Sequence, residues 1–170
     1  MSPGYRDHQH LPRHRSGSIR QRKIDVPGLD RLGRPFRILL VDDAPVNLAV
    51  GSRLLARMGC HVDPASTGDY AVAMFADGCA EARYDMVLVD LTMPGMNGLQ
   101  TSRAIRKVEA QLPADHPYRG RPVPILIMSS YDPGDNLARF RKAGANDVLY
   151  KPFQPDAVRD VLARWVPVHA

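Results

Sequence analysis

Met86-Val87-Leu88-Val89-Asp90-Leu91-Thr92-Met93-Pro94-Gly95-Met96-Asn97-Gly98 is the stretch whose reading decides the fold. Its first four residues form a continuous apolar run, the mark of a strand covered on both faces. One carboxylate, Asp90, closes the run, and Pro94-Gly95 breaks the chain before a helix expected over 98–111. The same alternation extends in both directions. Upstream, 36–41 is strand-like, and Val46, Val50, Leu54 and Met58 recur every four positions, which places them on one helix face. Pro45 suits that helix's first turn and Gly59 its left-handed end. A second strand is expected over 60–64 and a helix over 68–76. Downstream come a loop rich in Pro, Gly and Arg at 112–124, a strand at 125–128 and a helix at 133–143 that ends at Gly144. A fifth strand at 148–150 and a last helix at 155–165 complete the series. Five strands alternating with helices predict an α/β fold with a parallel sheet covered on both sides.

A chain of 170 residues has room for one ordinary domain and a tail. Its 44% apolar content supports a real core. The net charge of +5 is unevenly spread: residues 1–37 hold nine Arg or Lys against three Asp, so 38–170 carries −1. Residues 1–35 are therefore expected to be a flexible basic leader, and 36–170 the folded domain. The leader could touch an acidic partner or nucleic acid, but Tyr5 is its one aromatic residue, which favours a solvated tail. Cys60 and Cys79 fit neither a disulfide framework nor a zinc site, and read as reduced thiols of a cytoplasmic protein. No stretch approaches the roughly 20 apolar residues of a membrane span, and no secretory signal is present. Pro3 and Pro12 break any amphipathic transit helix. The sequence stops soon after its last helix, so no DNA-binding output domain is expected.

In a doubly wound sheet, ligands bind beyond the carboxyl ends of the strands. The residues closing the apolar runs are Asp42 and Asp43, Asp90, Ser129 and Ser130, and Lys151. Three carboxylates, a hydroxyl and an ammonium would then converge on one rim. At ~4 Å and an effective dielectric near ~20, each like-charge pair costs about 4 kcal/mol. Such a cluster calls for a cation, and an all-oxygen set with open positions suits Mg²⁺. The lysine and hydroxyl could hold a phosphoryl group, with the solitary Asp90 as its nucleophile. Each residue also has a plain explanation: Asp42 or Asp43 as a helix cap, Asp90 as a turn former, Lys151 as a solvated charge. Their joint occurrence at successive strand ends is what points to a site.

Three segments carry a resemblance: Ile38-Leu39-Leu40-Val41-Asp42-Asp43, Val89-Asp90-Leu91-Thr92-Met93-Pro94-Gly95-Met96-Asn97-Gly98, and Gly144-Ala145-Asn146-Asp147-Val148-Leu149-Tyr150-Lys151-Pro152-Phe153. Over 36–165 the chain resembles the receiver domains of response regulators and hybrid histidine kinases. The resemblance implies a flavodoxin-like sheet of order 2-1-3-4-5 with five helices. It implies that Asp90 is the phosphoacceptor, that Asp43, Asp90 and the Thr92 carbonyl ligate Mg²⁺ directly, and that Asp42 does so through water. Ser129 would bond the phosphoryl oxygens and Lys151 would pair with the phosphate. The donor would be a histidine kinase or histidine phosphotransfer protein, and the signal would pass to a downstream protein through the face at 133–165. No reaction beyond self-phosphorylation and dephosphorylation is implied.

Two positions depart from the family pattern. Val148 stands where an aromatic switch residue is usual, with Tyr131 or Tyr150 as substitutes, and the 112–124 loop is long. It carries Arg119 and Arg121 beside Tyr118, which could meet a partner, although a loop without a role is the plainer reading. Competing readings are an unphosphorylated adaptor with the same fold, or the receiver part of a larger hybrid kinase. A dehalogenase-type phosphatase would need an acid where Thr92 stands, and no phosphate-binding glycine loop appears.

Overall fold

The computed structural model describes residues 35–131 and 137–165. The expected leader over 1–35, except Pro35, and the expected helix start at 133–136 lie outside the described residues. Five parallel strands, β1 (Arg37–Val41), β2 (His61–Ala65), β3 (Met86–Asp90), β4 (Ile125–Ser129) and β5 (Asp147–Tyr150), form one sheet of order β2-β1-β3-β4-β5. The helices are α1 (Pro45–Arg57), α2 (Gly68–Gly78), α3 (Gly98–Gln111), α4 (Pro117–Gly120), α5 (Leu137–Lys142) and α6 (Pro155–Trp165). Pro64 is tolerated in β2 because that strand is at the edge and has a neighbour on one side only.

The two-residue period of each strand sorts the core into two layers. Ile38, Leu40, Met86, Leu88, Leu126 and Met128 face Leu55 of α1, Met58 just beyond its end, and Val158, Val161 and Leu162 of α6. Their neighbours Leu39, Val41, Val87, Val89, Ile125 and Ile127 face Phe75 of α2, Leu99 and Ile105 of α3 and Phe140 of α5. All five residues of β3 and of β4 are buried, as two-sided cover requires. Cys60 and Cys79 are free and buried, and burial pushes the Cys60 thiol up to about 12. No helix among the described residues is long and apolar enough to cross a membrane.

Two expectations are corrected. The expected face Val46, Val50, Leu54 and Met58 faces the core only at its end: Met58 is buried, but Val46 and Val50 are 72% and 55% exposed. The inward residues are Gly51, Leu55 and Met58, with Leu48 and Leu54 packed at the margin. Gly51 explains the offset, because a Cβ there would lie 3.0 Å from Leu40 Cδ2 and 3.3 Å from Phe153 Cε2. The closest point of α1 to the sheet is thus a residue with no apolar side chain to count.

The second correction is the helix count, six among the described residues rather than five. The additional one, α4, lies inside the expected 112–124 loop. Pro117 occupies its first turn, and His116 Nδ1 accepts from Tyr118 N at 3.1 Å. The loop is not bare surface. Tyr118 stacks on Phe75 at 5.4 Å, accepts from Tyr84 N at 2.8 Å and donates to Tyr84 O at 2.7 Å. Glu109, 4% exposed, accepts from Val123 N at 2.7 Å and from Arg106 Nη1 at 2.6 Å. Removing the Tyr118 hydroxyl leaves a buried N–H and a buried C=O of Tyr84 without that partner. Tyr118→Phe is therefore expected to lower the urea unfolding free energy by about 1–3 kcal/mol; an unchanged midpoint would show that the loop is not anchored here.

Candidate functional site

The sheet brings its chemistry to one rim. Asp42 follows β1, Asp90 and Ser129 are the last residues of β3 and β4, and Lys151 follows β5. Lys151 Nζ donates to Asp42 Oδ2 at 2.5 Å and to Asp90 Oδ1 at 2.8 Å. A ligand oxygen from each of Asp42, Asp43 and Asp90 lies within 4.8 Å of the others. Asp42 is 1% exposed and Asp90 8%, whereas Asp43 faces solvent. Five of the predicted residues are thus positioned by four strand ends, and two of the three carboxylates, Asp42 and Asp90, contact the ammonium directly.

The plain explanations give way to this geometry. The N-cap of α1 is Ala44, with no side-chain cap, so neither Asp42 nor Asp43 caps it. Asp42 Oδ1 instead accepts from Ala44 N at 2.9 Å, a turn two residues ahead. Lys151 is 15% exposed at its side chain and is no solvated surface charge. Burial pushes the Asp90 carboxyl above its ordinary range, against the lowering pull of Lys151, with Asp42 and Asp43 adding like-charge repulsion. For Lys151, burial acts to lower the ammonium, and its contacts with Asp42 and Asp90 outweigh that and raise it.

The loop leaving β3 is closed by Gly98 N donating to Leu91 O at 3.1 Å, and Thr92 is exposed along it. A Cβ on Gly98 would stand 2.3 Å from Asp90 O, so only glycine lets α3 start this near the acidic rim. Ser129 is 3% exposed, and its hydroxyl donates to Tyr131 O at 2.9 Å. Val148 packs partly buried beside the α2–α3–α5 layer, while Tyr131 and Tyr150 are 81% and 47% exposed. One participant escaped the sequence reading. Asn47 Nδ2 donates to Asp42 Oδ1 and to Oδ2, each at 3.1 Å. The available signal was an amide side chain in the first turn after an acidic doublet.

Three oxygen-donor side chains this close, balanced by one ammonium, suit a hard divalent ion and a doubly charged ligand. The family model of the response regulator receiver domain matches residues 38–163. The chain belongs to that family. The receiver is 36% identical over 128 residues to the virulence sensor protein BvgS of Bordetella bronchiseptica, covering 75% of this chain and 10% of that protein. It is 30% identical over 132 residues to the sensor histidine kinase GacS of Pseudomonas protegens, covering 78% and 13%. The chain thus spans under a fifth of the curated relatives it matches. Among solved structures, the receiver domain of a Pseudomonas aeruginosa sensor histidine kinase, with magnesium coordinated in its active-site cleft, is 32% identical. The match has a TM-score of 0.62 and covers 78% of this chain and 98% of that one. The Mg²⁺- and BeF₃⁻-complexed receiver of the histidine kinase CKI1 from Arabidopsis thaliana gives 28% identity and a TM-score of 0.65, over 82% and 97%.

This receiver's acidic rim carries a stability consequence. The folded state holds the Asp90 proton to higher pH than the unfolded chain does, where an aspartate carboxyl titrates at its ordinary value of 3.8. Its contribution is complete below 3.8 and is lost as pH rises through the folded value. Asp90→Asn is accordingly expected to stabilise the metal-free chain at pH ~7 by on the order of 1 kcal/mol. Thermal melts should show the advantage shrinking as pH falls toward ~4; a variant less stable than wild type at neutral pH would contradict this balance of charges.

Proposed function

We propose that this receiver takes a phosphoryl group from a histidine kinase or histidine phosphotransfer protein onto Asp90, in a Mg²⁺-dependent reaction, and signals through protein–protein contact. The observation that supports it best is the Lys151 ammonium bridging Asp42 and Asp90, with Asp43 completing the carboxylate cluster. In this reading Asp43, Asp90 and the Thr92 carbonyl hold Mg²⁺, and Asp42 does so through water. The ion supplies charge neutralisation for the phosphoryl oxygens.

The chain's own residues do the rest. Asp90 attacks phosphorus with the oxygen opposite its Lys151 contact, and the donor's P–N bond breaks with its electron pair leaving on nitrogen. Lys151 turns its ammonium to a phosphoryl oxygen, since that group carries more charge than the carboxylate it replaces. The Ser129 hydroxyl exchanges Tyr131 O for another phosphoryl oxygen. Beyond making and losing its own aspartyl phosphate, the chain turns over no substrate. The output runs through α5, β5 and α6, where Leu137 and Tyr150, 42% and 47% exposed, offer apolar contact to a downstream protein. The reading places the chain in the cytoplasm, in keeping with its two free thiols.

Incubation with acetyl phosphate, with and without Mg²⁺, tests the reaction in the wild type and in Asp90→Asn. One acid-stable, base-labile phosphoryl group is expected in the wild type with Mg²⁺, and none in the other arms. Labelling retained by Asp90→Asn would move the acceptor elsewhere. An unlabelled wild type would leave the adaptor role.

A further inference from the structure

Asp42 is the most buried member of the acidic cluster, and protein donors determine the plane of its carboxylate. Ala44 N reaches Oδ1 at 2.9 Å, Lys151 Nζ reaches Oδ2 at 2.5 Å, and Asn47 Nδ2 spans both oxygens at 3.1 Å. Ala44 N belongs to the turn itself, so Asn47 is the side chain that fixes the carboxylate from the α1 side. The same Lys151 ammonium contacts Asp90 Oδ1 at 2.8 Å. Where Asp42 points therefore decides how squarely Nζ meets the acceptor carboxylate.

The other end of the Lys151–Phe153 segment is held by the same helix. The Phe153 ring lies over Gly51, 3.3 Å from where its Cβ would be, and Gly51 is four residues, about one turn, beyond Asn47. One face of α1 thus bears on the segment twice, through Asn47 by way of Asp42 and through the packing of Phe153 on Gly51.

We propose that Asn47 is a positioning residue for phosphoryl transfer, which locks the Asp42 carboxylate and thereby places the Lys151 ammonium against Asp90. The inference rests on the Asp90-acceptor reading above. A residue acting through a buried partner in this way typically changes a site's rate or affinity by about 10–100-fold. A space-filling role would ask only for volume.

The full chain is compared with Asn47→Leu, which keeps the volume without the donor, Asn47→Ala, and Asn47→Ser, which keeps a short donor. Two quantities are read: the rate of acetyl phosphate labelling at saturating Mg²⁺, and the Lys151 ammonium signal in ¹H–¹⁵N spectra of the metal-free chain. Asn47→Leu and Asn47→Ala are expected to label at least ~10-fold more slowly, with a shifted and weakened Lys151 signal and cooperative unfolding retained. Asn47→Ser should recover part of both. An unmoved Lys151 signal in Asn47→Leu and Asn47→Ala overturns the proposal whatever the labelling rate, and so does wild-type labelling by Asn47→Leu. Should the wild type itself fail to label, the acceptor reading falls, and the metal-free spectra still decide the role of Asn47.

Discussion

The Lys151 ammonium lies between two buried carboxylates, and the carboxyl rim of the sheet is organised by that contact. Asp42 and Asp90 close adjacent strands and would repel strongly if both were ionised in a region from which water is largely excluded. A cation between them makes the pair tolerable, and the fold supplies it from β5, two strands further along. Lys151 has to arrive from the edge of the sheet with its base fixed, which Phe153 on Gly51 achieves. The rim also keeps an exposed carboxylate, Asp43, so its charge is offset only in part. That residual negative charge suits the rim to a divalent ion.

The two hydrophobic layers serve this rim by holding the strand ends in register. Val89 pairs with Val41 on one side and with Ile127 on the other, so the residues that follow, Asp42 and Asp90, come out side by side. A slip of one residue in β3 would turn Asp90 toward the other face and leave an apolar side chain at the rim. Burial on both faces of β3 and β4 makes such a slip costly. Gly98 contributes from the opposite direction by allowing α3 to begin against the Asp90 carbonyl.

At the other end of the sheet, a polar network ties the long 112–124 segment to the body. Arg106 bonds Glu109, Gly144 O and Asn146, and Asn146 in turn accepts from Ile125 N at the start of β4. Tyr118 adds an aromatic anchor between α2 and the start of β3. These contacts fix where β4 and β5 begin, and so where Ser129 and Lys151 end up about five residues later.

The strand order came with the family resemblance, whereas the parallel sheet and the set Asp42, Asp43, Asp90, Ser129 and Lys151 were legible in the residues themselves. The latter follow from short-range facts: a four- or five-residue apolar run, the polar residue that ends it, and the rule that parallel strands open their chemistry at one edge. What the tertiary structure decided lies where a side chain's role depends on distant neighbours. The inward face of α1 passes through Gly51, invisible to a hydropathy pattern, because Leu40 and Phe153 fill the space its side chain leaves. Tyr118 and Glu109 look like loop and surface residues until Tyr84 and Val123 come within hydrogen-bonding reach. Asn47 is an ordinary helix residue until Asp42 turns back toward it. In each case the deciding partner is set by packing, which linear spacing does not encode.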